Sequence, residues 1–386
     1  MKITIVTPTF PYPRRGEYYG LERYIENLAL SLKNLGNKIK IITTFWNGGK
    51  RYDNFNGIEI LRLLETKAIF KEFGAIGFLH YITFGLNLFR KRNFRFYNDS
   101  DIVILNIPIP FSGFFKIKNI PCFSIFHHYV PVESIQEYMT IPFYRFLEKW
   151  QYNKLKYVVT ISLTSKIALI KEFGLKAENI EIIPHGIDVE KFNPSNSTIE
   201  IKNKYGNKIL LFTGLMIPRK RVPILLKAIT YVIKEIPDCH LILTGNGPFL
   251  KEYKNLASSL GIQNCTTFLG FVDDDELLKL YASSDIYVFP SELEGFGQVI
   301  LEAMASGIPV ICANKPPMSE IIENGGLTFI TNNSKDLSIK IISLLNNHEK
   351  LAEYKKNALE VAKKHKWSNA ANLYYNFCKQ VIIRNE

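Results

Sequence analysis

Short β-branched and aromatic runs alternate with stretches whose apolar residues recur at helical spacing, and this alternation admits few folds. Ile3 to Thr7 reads as a strand. Leu21 to Leu35 sets Leu21, Tyr24, Ile25, Leu28, Leu32 and Leu35 on one helical face and stops at Gly36, and Ile39 to Thr43 is the next strand. Asp101–Asn106, Cys122–Phe126 and Tyr157–Ser162 are further buried strands. A second alternating unit starts at Ile209–Thr213, with strands expected near 240–244, 266–269, 286–289 and 308–312 and helices at 222–235, 249–260, 275–282 and 298–306. Such alternation implies parallel sheets with helices on both faces and ligands at the carboxyl ends of the strands. Residues 188–208, with Asn193–Ser197 inside them, are polar and turn-rich and lack an apolar period, so they read as the linker. The expectation is an α/β protein of two doubly wound, Rossmann-like domains, 1–187 and 205–366. A last amphipathic helix follows, with Trp367, Ala370, Leu373, Tyr374, Phe377 and Val381 in phase.

A chain of 386 residues is too long for one ordinary core. With 47% hydrophobic and 22% charged residues it is neither disordered nor fibrous. It opens directly on strand Met1–Val6, without a charged lead before an apolar signal core, so the expected location is the cytoplasm. Cys122, Cys239, Cys265, Cys312 and Cys378 are scattered and odd in number, which argues against a disulfide framework or a zinc site. The net charge of +12 is uneven: residues 1–187 carry 25 Lys and Arg against 15 Asp and Glu, so the basic surface belongs to the first half. Within it, residues 69–97 form a dense apolar and aromatic run, broken by Gly74, Gly77, His80 and Gly85 and followed by Arg90, Lys91, Arg92 and Arg95. Two readings stand: a buried helix pair, or a surface resting on an anionic membrane, which would make the acceptor lipid-linked.

The stretch that carries most chemistry is 285–310. Asp285–Pro290 is a strand closed by proline, Glu294-Gly295-Phe296-Gly297 a glycine loop, and Gln298 onward a helix ended at Gly307 and Pro309. Glycines admit a ligand close to the backbone, and a helix N-terminus favours an anion, phosphate first. Two acids, Glu294 and Glu302, flank that position. They make sense as acceptors for hydroxyls of a sugar and a ribose on either side of a diphosphate, the plainer alternative being a helix-capping Glu and a solvated one. Ahead of them, Gly214 ends a strand and is followed by Arg219, Lys220 and Arg221, three cations at a strand-to-helix junction that suit a diphosphate.

In this order and spacing the chain resembles the retaining GT-B glycosyltransferases of family four. Glu294 and Glu302 resemble the E-x7-E signature, and 214–221 resembles G-R-x-x-P-R-K-G with Lys220 as the phosphate-binding lysine. Gly245-Asn246-Gly247-Pro248 resembles G-x-G-P along the nucleotide, and Phe268–Val272 resembles F-L-G-x-V, where backbone groups near Phe271 and Val272 meet the base. The resemblance implies GT-B architecture, two Rossmann-like domains facing across a cleft, with the terminal helix 367–386 packing back on the first. It also implies transfer of a hexose from a nucleotide-diphosphate sugar, UDP or GDP, to a saccharide or lipid-linked acceptor with retention.

The same resemblance gives His127, Arg219, Lys220 and Glu294 catalytic roles. Gly20, Gly214, Gly245, Gly247, Phe271, Val272, Gly295, Phe296, Gly297, Gln298 and Glu302 would contact the ligands. In the loop 8–20 only Gly20 allows close backbone approach, and Arg14 and Arg15 are candidates to clamp an acceptor phosphate. Four departures stand out. The family's arginine falls at Leu215, its glycine after the lysine is Arg221, His128 takes a place often filled by Asp, and Lys315–Glu320 lacks paired glycines. Asp273–Asp275 reads as a helix start rather than a metal site, so no metal, no cofactor and no nucleic acid are expected. A sugar-nucleotide epimerase and a non-catalytic nucleotide-sugar-binding protein associated with a membrane are the rival readings. A dinucleotide oxidoreductase fails for want of G-x-G-x-x-G after the first strand.

Overall fold

The computed structural model describes residues 1–10, 20–45, 50–65, 83–88, 90, 93, 95–106, 120–127, 149–152 and 154–385. The chain folds into two units, one formed by Met1–Gly186 with Trp367–Glu386 and one by Ile187–Lys366. Arg14, Arg15 and His128 lie outside the described residues, as does most of 69–97.

In the first unit, eight strands lie in the order β3-β4-β2-β1-β5-β6-β7-β8. They are β1 (Lys2–Val6), β2 (Lys38–Phe45), β3 (Tyr52–Phe55), β4 (Ile58–Glu65), β5 (Ile102–Leu105), β6 (Cys122–Phe126), β7 (Val158–Thr160) and β8 (Ile180–Ile182). Every pairing is parallel except the β3–β4 hairpin. That hairpin turns on Asn56-Gly57, both with positive φ, a turn sequence suited to the twist of paired strands. One face of the sheet packs Ile3, Ile5, Ile104 and Phe123 against Tyr24, Leu28 and Leu32 of helix Gly20–Asn34 and Tyr374 and Phe377 of helix Trp367–Ile383. The hydroxyls of Tyr24 and Tyr374 meet within this core. On the other face Val6, Ile42 and Leu105 bury Phe84 and Leu88. The described part of 69–97 thus sends Phe84, Leu88 and Tyr97 into a core, while Leu86 is exposed. Among the described residues no helix is long and apolar enough to cross a membrane.

The second unit holds six parallel strands in the order β11-β10-β9-β12-β13-β14. They are β9 (Lys208–Thr213), β10 (Cys239–Thr244), β11 (Thr266–Gly270), β12 (Ile286–Phe289), β13 (Val310–Ala313) and β14 (Gly326–Phe329). In sequence terms this is the order 3-2-1-4-5-6, so the winding reverses between β9 and β12, the place where open α/β sheets hold ligands. Helix Val222–Glu235 packs beside Ser334–Leu345, and Gln298–Ala305 beside His348–Lys364, with Leu225, Ile229, Leu337, Ile341, Ile300 and Met304 buried.

Residues 188–208, expected to be a linker, are folded and belong to the second unit. Asp188 Oδ1 accepts from the amides of Glu190 and Lys191, Asn193 caps the turn Pro194–Asn196, and Ile199–Tyr205 is helical. Elements of three and seven residues are too short to display an apolar period, which is why the sequence looks irregular there.

Candidate functional site

At the reversal point of the second sheet, the loops following β9 and β12 are laced together. The amide of Glu292 donates to the carbonyl oxygen of Arg219 at 3.2 Å, Ser291 Oγ lies 3.2 Å from that same oxygen, and Arg219 Nη1 donates back to the carbonyl of Leu293 at 2.9 Å. This scaffold brings together three of the predicted residues. Glu294 Oε1 accepts from Lys220 Nζ at 2.6 Å, Arg219 Nη1 at 2.9 Å and Ser291 Oγ at 2.5 Å. Among the described residues its Oε2 accepts no hydrogen bond, so the carboxylate is held by one oxygen and presents the other.

Lys220 is buried, with 8% of its surface exposed, and its ammonium lies 4.7 Å from the centre of the Phe289 ring. Among the described residues Glu294 is its one hydrogen-bond acceptor, so two of its three protons remain for an incoming oxygen. Burial pulls its pKa down, with Glu294 opposing and Arg219 assisting. For Glu294, burial alone would raise the pKa, but the charges of Lys220 and Arg219 outweigh it and the net shift is downward. Two cationic side chains against one carboxylate leave a local excess of positive charge, which suits an anion.

Two helices start from these loops, Val222–Glu235 and Gln298–Ala305, and neither has a side-chain cap at its N-terminus. Their first amides and dipole ends add to the field of Lys220 and Arg219. Gly297 takes φ +98° to turn into the second helix, and a Cβ there would press on Ile300 at 3.2 Å. Gly295, Phe296 and Gln298 complete the turn, with Phe296 buried and set edge-on to His365 at 6.3 Å between ring centres.

Glu302, one turn further along, is 5% exposed, and its Oε2 accepts from Tyr281 at 3.0 Å. The Tyr281 hydroxyl also meets Thr213 Oγ1 at 2.8 Å, which meets Tyr287 at 2.9 Å. The carboxylate therefore belongs to a buried hydroxyl network rather than to a solvated helix face.

Gly245 and Gly247 are needed first by packing between loops, and Gly214 by its backbone conformation, φ +153°. A Cβ on Gly245 would stand 2.0 Å from the carbonyl oxygen of Gly214, and one on Gly247 would stand 2.5 Å from that of Met216. The amides of Gly214 and Met216 donate to the carbonyls of Thr244 and Asn246, extending the β9–β10 ladder into the loops. Gly245 in turn donates to Gly270 at 2.6 Å. Phe271 beyond it is 59% exposed and Val272 half-buried. The predicted contacts after β12, β9, β10 and β11 thus lie along one sheet edge over three strand spacings, about 14 Å.

Arg221 does not join them. It adopts φ +52° and forms a two-nitrogen ion pair with Glu292, while Leu215, at the family's arginine position, is 47% exposed.

In the first unit, Gly20 begins its helix, and among the described residues a Cβ there would meet nothing within 4 Å. His127 follows β6. Its Nε2 lies 2.8 Å from Asn106 Oδ1 and 3.0 Å from the Asn106 carbonyl, and its ring stands edge-on to Tyr24. Sequence reasoning passed over Ser291, Tyr281 and Asn106. The signal available was position, since Asn106 directly follows β5 and Ser291 lies two residues past β12, both at carboxyl ends.

Residues 196–361 match the family model described as glycosyl transferases group 1, and residues 18–191 match that of glycosyltransferase family 4. An uncharacterized glycosyltransferase of Methanocaldococcus jannaschii is 24% identical over 98% of each chain. Sulfoquinovosyl transferase of Arabidopsis thaliana is 28% identical over 68% of this chain and 52% of its own, so this chain spans about half of that relative. Among solved structures, Anabaena HepE in complex with UDP and glucose superposes with a TM-score of 0.74 at 20% identity, covering 98% of this chain and 99% of that one. That likeness shows the fold.

Proposed function

We propose that this chain, a glycosyltransferase of the GT-B fold, moves a hexose from a nucleoside-diphosphate sugar to the hydroxyl of a saccharide or lipid-linked acceptor, retaining anomeric configuration and using no metal. The observation that carries this reading is the single-oxygen anchorage of Glu294 beside Lys220. One carboxylate oxygen is committed to cations and Ser291, and the other is presented to a sugar hydroxyl. As the sugar–phosphate bond breaks, charge grows on the departing diphosphate. Lys220, Arg219 and the two uncapped helix ends oppose it, and loss of one such donor lowers rates about 10²- to 10³-fold. Phe271 and Val272 would border the base, Gly245 and Gly247 the nucleotide, and Glu302 the ribose. A solved structure of this fold is a complex with UDP and glucose, which supports a nucleoside-diphosphate sugar as donor, and UDP and GDP are the nucleotides expected.

His127 would contact the transferred sugar or the acceptor. The test is a panel of UDP-, GDP- and ADP-sugars with polyprenyl-phosphate sugars as acceptors, read by mass with and without EDTA. A product heavier by one hexose, insensitive to EDTA and lost in Glu294→Gln and Lys220→Ala, is the expected result. Isomerised donor without acceptor would point to an epimerase. Donor binding without turnover would point to a carrier.

A further inference from the structure

Ser291 follows Pro290 beyond β12 and is wholly buried, yet its hydroxyl faces three oxygens. Glu294 Oε1 lies 2.5 Å from Ser291 Oγ, the carbonyl oxygen of Arg219 3.2 Å and that of Leu293 3.5 Å. A carboxylate and a carbonyl can only accept, and a hydroxyl has a single proton to give. Both carbonyls have donors of their own: the amide of Glu292 serves Arg219 at 3.2 Å, and Arg219 Nη1 serves Leu293 at 2.9 Å. The proton of Ser291 therefore goes to Glu294, over the shortest of the three distances and to the charged acceptor.

Three donors thus converge on Glu294 Oε1, and they differ in what else they can do. Lys220 and Arg219 are cations whose side chains are 10% and 31% exposed, at the sheet edge where the donor's diphosphate is expected. A diphosphate competes with Glu294 for both of them, since both are anions drawn to the same charges. Ser291 is neutral and sealed from solvent, so a ligand cannot draw its hydroxyl away. The hold of each cation on Glu294 weakens as its charge is shared. The hold of the hydroxyl does not.

We propose that Ser291 is a positioning residue: its hydroxyl keeps Glu294 Oε1 in place while Lys220 and Arg219 turn part of their charge to the donor's diphosphate. The carboxylate then meets the sugar in one orientation from binding to bond breaking. The commitment of the hydroxyl to Glu294 stands on geometry alone; the handover of the cations rests on the transferase reading given above.

The first measurement needs no substrate. Urea unfolding of the full-length protein is compared for wild type, Ser291→Ala, Glu294→Gln and the double variant. Because the hydrogen bond goes to a charged acceptor, Ser291→Ala should lower the folding equilibrium constant about tenfold in wild type and only about two- to threefold beside Glu294→Gln. Equal losses in the two backgrounds would mean that the hydroxyl serves the carbonyls of Arg219 and Leu293, and would overturn the proposal.

The second measurement separates positioning from packing. Calorimetry with UDP or GDP, whichever wild type binds, supplies the diphosphate without the sugar. Ser291→Ala should bind it within about twofold of wild type, while its turnover number at saturating donor falls about tenfold. Ser291→Thr, which keeps the hydroxyl, should recover most of that loss. An unchanged turnover number in Ser291→Ala, nucleotide affinity that falls as far as turnover does, or a folded Ser291→Thr protein that recovers nothing overturns the handover. Wild type that binds neither nucleotide and transfers from no donor counts against the transferase reading instead, and the unfolding cycle still decides whether the hydroxyl belongs to Glu294.

Discussion

Gly245 lies so near Gly214 that a Cβ on the first would stand 2.0 Å from the carbonyl oxygen of the second. The pair joins the loops after β9 and β10, and the loop after β9 carries Arg219 and Lys220. A glycine that a ligand would welcome is thus required even without a ligand, by backbone against backbone.

Gly245→Ala should therefore destabilise the second unit by at least about 2 kcal/mol, since neither partner is a flexible side chain that could yield. Gly20→Ala is the contrasting case: among the described residues nothing lies within 4 Å, and the residue is helical, so stability should hold or rise by about 0.5–1 kcal/mol. Urea unfolding of the two variants checks both values. If Gly20 is needed for close approach of the acceptor, its variant loses rate while keeping its unfolding midpoint.

Lys220→Met should lower transfer about 10²- to 10³-fold. Arg221→Ala should leave the rate within a few-fold and cost at most about 1 kcal/mol, because its pair with Glu292 is partly exposed. Steady-state rates with a saturating donor separate the two, and equal losses would mean that Arg221 reaches the diphosphate after all.

Tyr281→Phe removes the hydroxyl that donates to Glu302 and meets Thr213. Leaving those buried groups short of a partner should cost about 1–3 kcal/mol. The Michaelis constant for the donor should rise more than the turnover number falls, and the penalty for a 2′-deoxyribose donor should shrink in the variant. A fall in turnover alone would detach Glu302 from the ribose.

The pKa of Glu294 stays depressed in the fold despite burial, because Lys220 and Arg219 outweigh the loss of water. A carboxyl whose folded pKa is depressed binds protons less readily than in the unfolded chain. Its contribution is full above the usual value of 4.5 and lost as pH falls through the lower folded value. Denaturant titrations of wild type and Glu294→Gln between about pH 6 and 3 should show the wild type losing stability more steeply on the acid side. Parallel curves would mean that the ion pair adds nothing.

The strands and helices around the site were legible because their periods are long enough to read. Val222–Glu235, Asp274–Ser283 and Gln298–Ala305 fall within a residue of expectation. The conjunction of Lys220 with Glu294 was legible from order along the chain once the loops were assigned to strand ends, although they are 74 residues apart. What stayed hidden depends on direction rather than position. Nothing in the spacing reveals that Ser291 points into Glu294, that Arg221 turns away to Glu292, or that Glu302 is buried under Tyr281. The hairpin at Asn56-Gly57 was visible in principle, since that dipeptide is a strong turn signal. The glycines after β10 misled in a useful way, because a residue type that admits ligands also admits a neighbouring backbone.

The first unit is built from both ends of the chain. Tyr374 and Phe377 complete the core around Tyr24 and Phe123, and a Cβ on Gly186 would strike Trp367 Cα at 2.6 Å. On the ribosome, then, the unit begun first has to wait for helix Trp367–Ile383, while the second can close as soon as Lys366 emerges. For a nascent chain, maturation runs opposite to the order of synthesis.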